Sequence, residues 1–575
     1  MGYYMPDYTQ FKHEKRPLEG KVINVKEETA LCAKLRDFGF PVHEGDSYMQ
    51  GMRKMRRVEK NKKGKDLTVK CDAVVVGSGS GGGVIAGVLA KAGLKILVIE
   101  KGEYFARGDF SQIEGPSCMS MLEGPNSITT ENAQVLIKAG TSVGGGSTVN
   151  WSASLRTPDH VLCEWADEHK LGLFREKRYQ QAMDAVCERM QVKVGYKKES
   201  FQNKTLREGC EKLGFHVEDV PCNALGEHYC GWCECGCPNG AKQSTAETWL
   251  VDAASAGAVI LAGCYAEEIL LKAGKRKKKS ASGVVANVLN GKLYVETNIV
   301  VAAGGALNTP LLLRRSGLQN AQIGRNLHLH PTILAWGYRP SKKKGGGEDD
   351  DEDRMFEGSL ISACSREVGG QKKRDGYGAL LQTPSMLPGA FSFLVPWVSS
   401  AQYKSMLQRY SRTCVIFTLT RDRTCGVVTE ASNGRISVNY SLCDQDKAMS
   451  LEALGVALRV LAAAPGVTEI GTMSVHDDKC SPARDDLDAY LARVQARGIR
   501  GLDFLIQSAH QMGTCRMGVD PNTSSVDPTC EAWEVEGLFV GDTSVFPTAL
   551  GVNPMVTVQA IAFCTAHNIL NWLKS

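Results

Sequence analysis

The segment from Cys71 to Gly102 most constrains the fold, because it contains a strand, a glycine turn, a helix and a second strand in that order. The pattern predicts strands over Ala73 to Val76 and Lys95 to Ile99, with a helix over Val84 to Ala92 between them. The turn after the first strand carries the GxGxxG glycines, which are Gly77, Gly79 and Gly82. This order predicts an α/β fold with a parallel sheet of the Rossmann kind.

The second strand ends on Glu100, and this acidic residue restricts the ligand. A glycine turn lets the backbone approach a pyrophosphate at a helix N-terminus. An acid about 20 residues further on binds a ribose hydroxyl pair but repels a 2′-phosphate. The segment therefore predicts FAD or NAD as the ligand, and not NADP.

Two further glycine clusters follow. AGTSVGGGSTVNWSASLRTP starts at Ala139, and its small residues indicate that backbone amides approach a flat or anionic group. Its candidate cofactor contacts are Gly144, Gly145, Ser147 and Asn150. The third cluster, Gly304 to Gly317, again predicts a turn and a helix after a buried strand over Tyr294 to Ala303.

Charge and hydropathy exclude several classes of protein. A net charge of +5 over 575 residues gives no reason to expect nucleic acid as a partner. Eight basic residues lie between Gly51 and Lys65, either as a solvated arm or as a contact for an anionic membrane surface. The acidic and basic run from Lys342 to Asp353 predicts a disordered surface insertion.

Targeting signals are not evident. The chain contains no run of 18 apolar residues and its first residues contain no apolar signal region. Its 20 cysteines are then expected to be reduced thiols. We expect an intracellular protein, associated peripherally with a membrane or an organelle, whose oligomeric state the sequence leaves open.

Six motifs in order carry a family resemblance. They are EGPS, GGGSTVNWSASLRTPD, HYCGWCECGC, GRNLHLHP, LVPWVS and SAHQMGTCRMG. From Cys71 to about Leu570 the chain resembles the glucose–methanol–choline (GMC) FAD oxidoreductases, and within them the long-chain fatty alcohol oxidases. The resemblance implies FAD rather than NAD, a glucose oxidase-like fold and oxidation of primary alcohols to aldehydes by oxygen, with hydrogen peroxide as the second product. Because those enzymes tend to carry a longer, membrane-seeking N-terminal region, a trimmed or peripherally bound chain is expected.

The resemblance also implies a domain organisation. An FAD-binding Rossmann-like domain is expected over residues 71–330, with inserted segments around 151–250, after a polar leader over residues 1–70. A discontinuous α+β substrate domain is expected over residues 331–500. Residues 501–575 are expected to return to the FAD domain with the catalytic pair.

The expected catalytic pair is His510 and Asn553, because the resembling enzymes carry histidine at the first position and histidine or asparagine at the second. An imidazole suits removal of the hydroxyl proton near neutral pH. Pro554 restricts the backbone of Asn553 to extended conformations and so helps to aim its amide at the substrate oxygen. By the same resemblance, further cofactor contacts are expected from Gly541, Asp542 and Pro554.

Two details bear on the cofactor and substrate. Val149 and Asn150 occupy the region where some relatives attach the flavin through histidine, so the FAD is expected to be non-covalent. Thr141 replaces a basic or amide residue and leaves one cofactor contact open. The apolar stretch PSMLPGAFSFLVPWV is expected to line a channel for an alkyl chain through Phe391, Phe393 and Trp397, or else to be ordinary core.

The cysteine-rich segment admits two interpretations. Cys230, Cys233, Cys235 and Cys237, with Cys222 and His228 nearby, are residues that bind zinc or an iron–sulfur centre in other proteins. Their tight spacing differs from the separated CxxC pairs of ordinary zinc modules. We therefore expect structural cysteines and no metal.

Two other functions stay open at this level. The chain would also suit a GMC-type alcohol dehydrogenase that passes electrons to an acceptor other than oxygen. A flavin-containing binding protein without turnover is the alternative from another class, and the presence of both His510 and Asn553 argues against it.

Overall fold

The computed structural model describes residues 18, 20–26, 30–44, 66–124, 126–195, 198–226, 228–274, 278–289, 291–341, 354–369, 376–476 and 479–574. The basic run between Gly51 and Lys65 lies outside these residues, as does the charged insertion from Lys342 to Asp353. The predictions made for both segments therefore remain predictions.

A parallel sheet forms the nucleotide-binding half of the molecule. Its six strands in the described part of the chain lie in the order Val22–Asn24, Val259–Ala262, Ile96–Ile99, Ala73–Val76, Val300–Ala302 and Leu538–Val540. Such sheets are covered on both faces, which explains why these short strands are almost continuously apolar and buried. The predicted Rossmann-like architecture is confirmed.

A crevice forms beyond the carboxyl ends of two strands, Ala73–Val76 and Val300–Ala302. These two strands are neighbours, and each is followed by a glycine turn and a helix, Ser80–Lys91 and Gly305–Arg315. From the first strand the chain continues to a strand on one side of this pair, and from the second it continues to a strand on the other side. Ligands of open α/β sheets bind at such a switch point, beyond the carboxyl ends of the strands.

The first helix starts at Ser80, four residues before the predicted start at Val84. Close backbone approach explains the glycines in its first turn. A Cβ on Gly81 would lie 1.9 Å from the carbonyl oxygen of Gly541, and one on Gly82 would lie 2.0 Å from that of Gly77. Two of the predicted cofactor glycines, Gly82 and Gly541, therefore pack the helix against the sheet.

A larger mixed sheet forms the second half. Its main path runs through Ile128–Thr129, Val135–Ile137, Ile506–Ser508, Thr332–Tyr338, Thr413–Thr420, Gly378–Gln382, Ala363–Gly369 and Glu218–Asp219. Glu469–Thr472 also pairs with Thr332–Tyr338, and Lys479–Cys480 pairs with Glu469–Thr472. The segment after residue 500 contributes a strand to this sheet and another to the nucleotide sheet, so it joins the two halves.

Smaller sheets and the remaining helices complete the described fold. One sheet comprises Tyr265–Ala273, Lys279–Val288, Gly291–Glu296, Leu67–Lys70 and Val42–Glu44, with Val535–Glu536 beside it, and another comprises Arg325–Leu327, Gly426–Glu430 and Ile436–Asn439. The other α-helices are Leu31–Asp37, Glu114–Met121, Gly146–Val149, Asp159–Asp167, Lys177–Arg189, Phe201–Lys212, Trp249–Ser255, Pro388–Leu394, Ser400–Arg409, Asp444–Ala463, Leu487–Arg497 and Met555–Trp572.

Two sequence predictions differ from the structure. The buried strand predicted over Tyr294 to Ala303 is two strands in different sheets, Gly291–Glu296 and Val300–Ala302. Both are apolar and buried, so hydropathy does not reveal the break between them. The region predicted as a polar leader contributes Val22–Asn24 to the edge of the nucleotide sheet, because apolar residues such as Leu18, Ile23 and Leu35 pack into the core.

Two observations concern membrane-spanning helices and disulfides. No helix among the described residues is both long and apolar enough to cross a lipid bilayer. None of the 20 cysteines forms a disulfide, as expected for reduced thiols.

Candidate active site

A cavity of about 360 Å³ lies in the crevice between the two halves. The predicted site residues that line it are Gly77, Gly79, Glu100, Gly145, Asn150, His510, Asp542, Asn553 and Pro554. The fold therefore brings the glycine turn near residue 77 and the proposed catalytic pair, more than 400 positions later, to the walls of a single cavity.

The wall near the glycine turn is made of closely packed backbone. A Cβ on Gly145, whose φ is +52°, would lie 2.8 Å from the Cα of Gly79. By contrast, a Cβ on Gly146 or Gly305 would meet no atom within 4 Å, although both glycines line the cavity. These two positions leave an open cradle beside the N-termini of the helices Ser80–Lys91 and Gly305–Arg315. Helix N-termini of this kind favour anions.

Glu100 is buried on this wall and is held by Ser78, which sequence reasoning missed. The Oε2 atom of Glu100 accepts hydrogen bonds from the backbone N–H and the hydroxyl of Ser78, at 2.9 and 2.7 Å, and Oε1 accepts one from the N–H of Gly102. The Ser78 hydroxyl in turn accepts the N–H of Gly144. A carboxylate has about four lone-pair sites, so Glu100 keeps acceptor capacity for a ligand hydroxyl.

Gly144 and Ser147 shape the second glycine cluster but do not line the cavity. Gly144 has a φ of +91°, which a residue with a side chain rarely adopts. The buried Ser147 hydroxyl donates to the carbonyl of Gly144 and accepts from the N–H of Thr245. We conclude that both residues stabilise the conformation of the second glycine cluster from the side that faces away from the cavity.

Asp542 lies at the cavity wall and also caps local structure. Its Oδ2 accepts the N–H of Gly305 at 2.8 Å and the hydroxyl of Thr309 at 2.5 Å, and its Oδ1 accepts the N–H of Ser544. Burial raises the pKa of this carboxyl, while these hydrogen bonds oppose the shift. Asp542 thus fixes the third glycine turn against the chain after residue 540.

His510 follows the strand Ile506–Ser508 and meets a second imidazole, that of His330. The two Nδ1 atoms are 3.2 Å apart, and the rings pack edge to face at an angle of 87°. The N–H of Gly551 donates to Nε2 of His330 at 2.8 Å. A neutral His330 therefore carries its proton on Nδ1 and donates it to Nδ1 of His510, which in turn places the proton of a neutral His510 on Nε2.

Burial keeps both imidazoles neutral. It lowers the pKa of His510 to about 4 and, together with the neighbouring His510, lowers the pKa of His330 well below its usual value. An imidazole that is neutral near pH 7 is the form required for accepting a proton.

Asn553 lies just before the helix Met555–Trp572, whose N-terminus faces the cavity at Pro554. The Oδ1 atom of Asn553 accepts a hydrogen bond from Nε2 of Gln382 at 2.9 Å. Since its carbonyl oxygen is engaged in this way, the Asn553 amide offers its Nδ2 donors to a cavity ligand.

Two ion pairs that sequence reasoning missed also line the cavity. Lys138 pairs with Glu234, and Lys101 pairs with Glu123. Burial alone would lower the pKa of Lys138, but the contact with Glu234 outweighs this effect and raises it. Nothing in the sequence around Lys138 singled it out, because its role depends on a partner 96 positions away.

The three aromatic residues predicted to contact substrate do not line this cavity. Phe391 is fully buried and packs on Tyr410, whereas Phe393 and Trp397 are 56% and 68% exposed. The apolar wall near His510 comes instead from two strands of the large sheet and from connecting segments: Trp151, Leu334, Ile361, Met386, Phe417 and Leu419. Composition could not distinguish these residues from core, because residues that line an apolar cavity and residues of the core are of the same types.

The cysteine-rich segment is divided by the fold. His228, Cys230 and Cys233 bring their ligand atoms to within 4.8 Å of one another. Cys235 instead packs with Trp232 and Leu387. The expectation that this segment holds no metal rested on the tight spacing of its cysteines along the chain, and it stays a prediction.

Comparisons with known proteins identify the family. The profile of the N-terminal region of GMC oxidoreductases matches residues 59–332, and that of the C-terminal region matches residues 426–562. The chain belongs to the GMC oxidoreductase family. Members of this family use FAD, so the cofactor implied by the resemblance is confirmed, and it is one of the two ligands predicted from Glu100.

Two relatives within the GMC family are plant enzymes. The long-chain-alcohol oxidase FAO4A of Arabidopsis thaliana is 46% identical over 514 residues, covering 88% of this chain and 69% of that protein. The long-chain-alcohol oxidase FAO3 of the same plant is 40% identical over 576 residues, covering 97% of this chain and 74% of that protein. The resemblance drawn from the six motifs is thereby confirmed.

Solved structures agree on the fold. Pyridoxine 4-oxidase from Mesorbium loti superposes with a TM-score of 0.63 at 17% identity, covering 87% of this chain and 99% of that one. A formate oxidase of Aspergillus oryzae RIB40, studied for FAD modification, gives a TM-score of 0.63 at 15% identity over 88% and 99% of the two chains. At this level of identity both indicate the GMC fold alone.

The residues present suit FAD. The open cradle at Gly146 and Gly305 and the helix N-terminus at Ser80 suit a pyrophosphate, while Glu100 retains acceptors for ribose hydroxyls. His330 was missed although GRNLHLHP was among the six motifs. The motif served only to indicate the family, and only the fold places His330 against His510.

Proposed function

We propose that this GMC oxidoreductase oxidises long-chain primary alcohols to aldehydes and passes the electrons to oxygen, which forms hydrogen peroxide. The observation that carries the proposal is the placement of His510 and Asn553 on one cavity with the glycine cradle. Similarity to Arabidopsis long-chain-alcohol oxidases at 40–46% identity supports this substrate class.

His510 is proposed to accept the hydroxyl proton of the alcohol at Nε2, and Asn553 to donate a hydrogen bond from Nδ2 to the alcohol oxygen. FAD, when bound, supplies the acceptor for the hydride that leaves the same carbon. Holding the oxygen between two side chains fixes the direction in which the C–H bond points. The N-terminus of the helix Met555–Trp572 favours negative charge in this part of the cavity.

Base catalysis at Nε2 places a condition on the histidine pair. In the arrangement seen here a neutral His510 has its proton on Nε2 and offers the cavity a donor. To accept a proton there, His510 must carry its own proton on Nδ1, so the hydrogen bond to His330 reverses. His330 is then protonated at Nε2 and loses the N–H contact from Gly551. We propose that alcohol binding drives this exchange of tautomers.

The alkyl chain of the substrate is proposed to lie against the apolar wall formed by Trp151, Leu334, Ile361, Met386, Phe417 and Leu419. Each methylene removed from water there contributes about 0.8 kcal/mol to binding. Oxidation should therefore accelerate from butanol to dodecanol. A flat or falling kcat/KM across that series would contradict this assignment.

Anaerobic mixing with a panel of alcohols, followed by admission of air, tests the reaction. Bleaching of the flavin by dodecanol is expected, with recovery of the colour and stoichiometric peroxide after air enters. Bleaching without recovery in air would instead indicate a dehydrogenase that uses another acceptor. Absence of bleaching by any alcohol would indicate a flavin-containing binding protein.

The FAD is proposed to be held without a covalent bond. Val149 and Asn150 line the cavity where a histidine attaches the flavin in some relatives, and neither can form that linkage. Precipitation with acid should leave all of the yellow colour in the supernatant. Colour that stays with the protein pellet would contradict the proposal.

Peripheral membrane contact is also proposed, because several large apolar side chains are exposed on neighbouring elements. Phe393 and Trp397 lie in or just after the helix Pro388–Leu394, and Met119 lies in the helix Glu114–Met121. The two helices are joined by hydrogen bonds from Gly389 and Ala390 to the Glu114 carboxylate. Flotation with phosphatidylcholine vesicles should be lost in a variant with Phe393→Ala and Trp397→Ala.

A further inference from the structure

We propose that His228, Cys230, Cys233 and Cys237 bind a single zinc ion beside the wall of the active-site cavity. The donor atoms of the first three lie within 4.8 Å of one another. The Nε2 atom of His228 is 3.7 Å from the Sγ of Cys230 and 3.7 Å from the Sγ of Cys233.

These separations match tetrahedral coordination of one ion. With Zn–S bonds of about 2.3 Å and Zn–N bonds of about 2.0–2.1 Å, neighbouring donor atoms lie about 3.6 Å apart. His228 and Cys233 are buried, and Cys230 is largely buried. A buried group of one imidazole and thiols therefore has the composition and spacing of a closed, structural zinc site.

Cys237 is assigned as the fourth ligand. It completes the spacing His-x-Cys-x₂-Cys-x₃-Cys, whereas the three donor atoms that lie within 4.8 Å of one another belong to His228, Cys230 and Cys233. Its Sγ accepts the backbone N–H of Lys242 at 3.2 Å, a contact that suits a metal-bound thiolate. Cys235 is left out of the set because it is not among the three donors that lie within 4.8 Å of one another, and it is a fully buried member of the apolar cluster of Trp232 and Leu387.

The donor set favours zinc over an iron–sulfur cluster. Such clusters are held in most cases by four cysteines around several metal atoms. Here one donor is an imidazole, and three donors lie within 4.8 Å of one another, which leaves room for one ion. Tetrahedral sites of mixed sulfur and nitrogen are typical of zinc.

The site would brace the cavity wall rather than take part in the reaction. Lys242 donates from Nζ to the carbonyls of Cys233 and Asn150, at 3.1 and 2.9 Å, and so connects the cysteine segment to a cavity residue. Glu234, between two cysteines of this segment, lines the cavity and pairs with Lys138. Fixing Cys233 therefore fixes both Glu234 and the backbone at Asn150.

Elemental analysis of the FAD-loaded protein, purified under reducing conditions without added metal, tests the proposal. One zinc per chain is expected, with no stoichiometric iron or acid-labile sulfide. Cys233→Ser and His228→Ala should each lower zinc at least tenfold. Cys235→Ser is the matched control, because it changes a buried cysteine of the same segment that lies outside the site, and it should keep its zinc.

Measurements on the wild-type protein test the zinc proposal even if a variant fails to fold. A strong chelator should remove the zinc and lower the melting temperature, and added zinc should restore both. Less than a tenth of an equivalent of zinc in well-folded, FAD-loaded protein would overturn the proposal. Stoichiometric iron with sulfide, or an equal loss of zinc in Cys235→Ser, would overturn it as well.

Discussion

The imidazole of His330 contacts that of His510 edge to face, with the two Nδ1 atoms 3.2 Å apart. His330 also accepts the N–H of Gly551, two residues before Asn553. One buried side chain therefore connects the proposed base to the loop that carries the proposed substrate-binding amide. This connection makes His330 a positioning residue, and it motivates the first predictions.

Replacing the proposed base should abolish turnover without loss of the cofactor. His510→Ala removes the proton acceptor, and general base catalysis contributes roughly 10²–10⁴-fold. We expect dodecanol oxidation to fall by about that factor while the purified protein stays yellow. Peroxide production measures turnover, and flavin absorbance measures loading. Retention of more than about a tenth of wild-type turnover would refute the role of His510.

The pH dependence of the wild-type enzyme follows from the buried imidazole. His510 is active when neutral, and its pKa is lowered to about 4 by burial. We therefore expect kcat/KM for dodecanol to be independent of His510 protonation around pH 6 and to fall as the pH drops towards 4. Stopped-flow flavin reduction across the pH range measures this limb. An acidic limb centred near pH 6.5 would show that His510 is solvated or is not the base.

Removing His330 should affect both the rate and the pH profile. In His330→Ala the partner of His510 is lost, and misplacement of a catalytic group costs up to about 10²-fold in rate. Water entering the vacated space should also raise the pKa of His510 towards its ordinary value of 6.5. We expect kcat to fall and the acidic limb to move to higher pH, with FAD content unchanged. A drop in rate with an unmoved limb would argue for a purely structural role.

Two phenylalanines distinguish the apolar wall from the surface. Phe417 lines the cavity and packs on Trp151, whereas Phe393 is exposed outside it. Phe417→Ala should raise KM for dodecanol about tenfold or more, because burying such a side chain against an alkyl chain contributes about 1.5–3 kcal/mol. The same substitution should change KM for butanol less. Phe393→Ala is the control and should leave both constants for soluble substrate unchanged. The reverse pattern would indicate that the substrate binds along the stretch PSMLPGAFSFLVPWV, as the sequence predicted.

Asp422 should be important for stability. It is fully buried, accepts the N–H groups of Leu329 and His330 and the Tyr440 hydroxyl, and lies 3.7 Å from Nδ1 of His328. Removing one partner of a buried ion pair costs about 3–5 kcal/mol. We expect Asp422→Asn to lower the free energy of unfolding by about 3 kcal/mol, as measured by urea denaturation.

The effect of Asp422→Asn should also depend on pH. Burial raises the pKa of Asp422, but His328 and the hydrogen bonds outweigh it and lower the pKa from 3.8 to about 2, so its contribution is present above pH 3.8 and is lost as the pH falls to 2. Burial lowers the pKa of His328, but Asp422 and Cys425 raise it to about 10, so its contribution is present below pH 6.5 and is lost as the pH rises to 10. The difference between wild type and variant should therefore be largest between pH 3.8 and 6.5. An effect that does not change with pH would show that the two groups are not an ion pair.

Local pattern was sufficient for the nucleotide-binding unit. The strand Ala73–Val76 begins and ends where it was predicted, because four consecutive apolar residues before a glycine turn leave little freedom in register. The six motifs similarly identified the family, and the resemblance to that family proposed His510 and Asn553. What they could not reveal was the partners of these residues, since His330 is 180 positions from His510 and Gln382 is 171 positions from Asn553.

The sequence by itself determined the dinucleotide fold and the acidic residue that restricts the ligand to FAD or NAD, because both depend on residues close together along the chain. The family resemblance added a proposed catalytic pair, His510 and Asn553. Only the tertiary structure decided which apolar residues line the cavity, which cysteines meet His228 and which imidazole contacts His510. The cavity wall and the histidine pair bring together segments far apart along the chain, and side-chain type alone does not specify which distant segments meet. The cysteines are close in sequence, but only the backbone conformation decides which of their thiols lie near the imidazole of His228. Phe391 and Phe417 are both buried phenylalanines, yet only Phe417 faces the cavity.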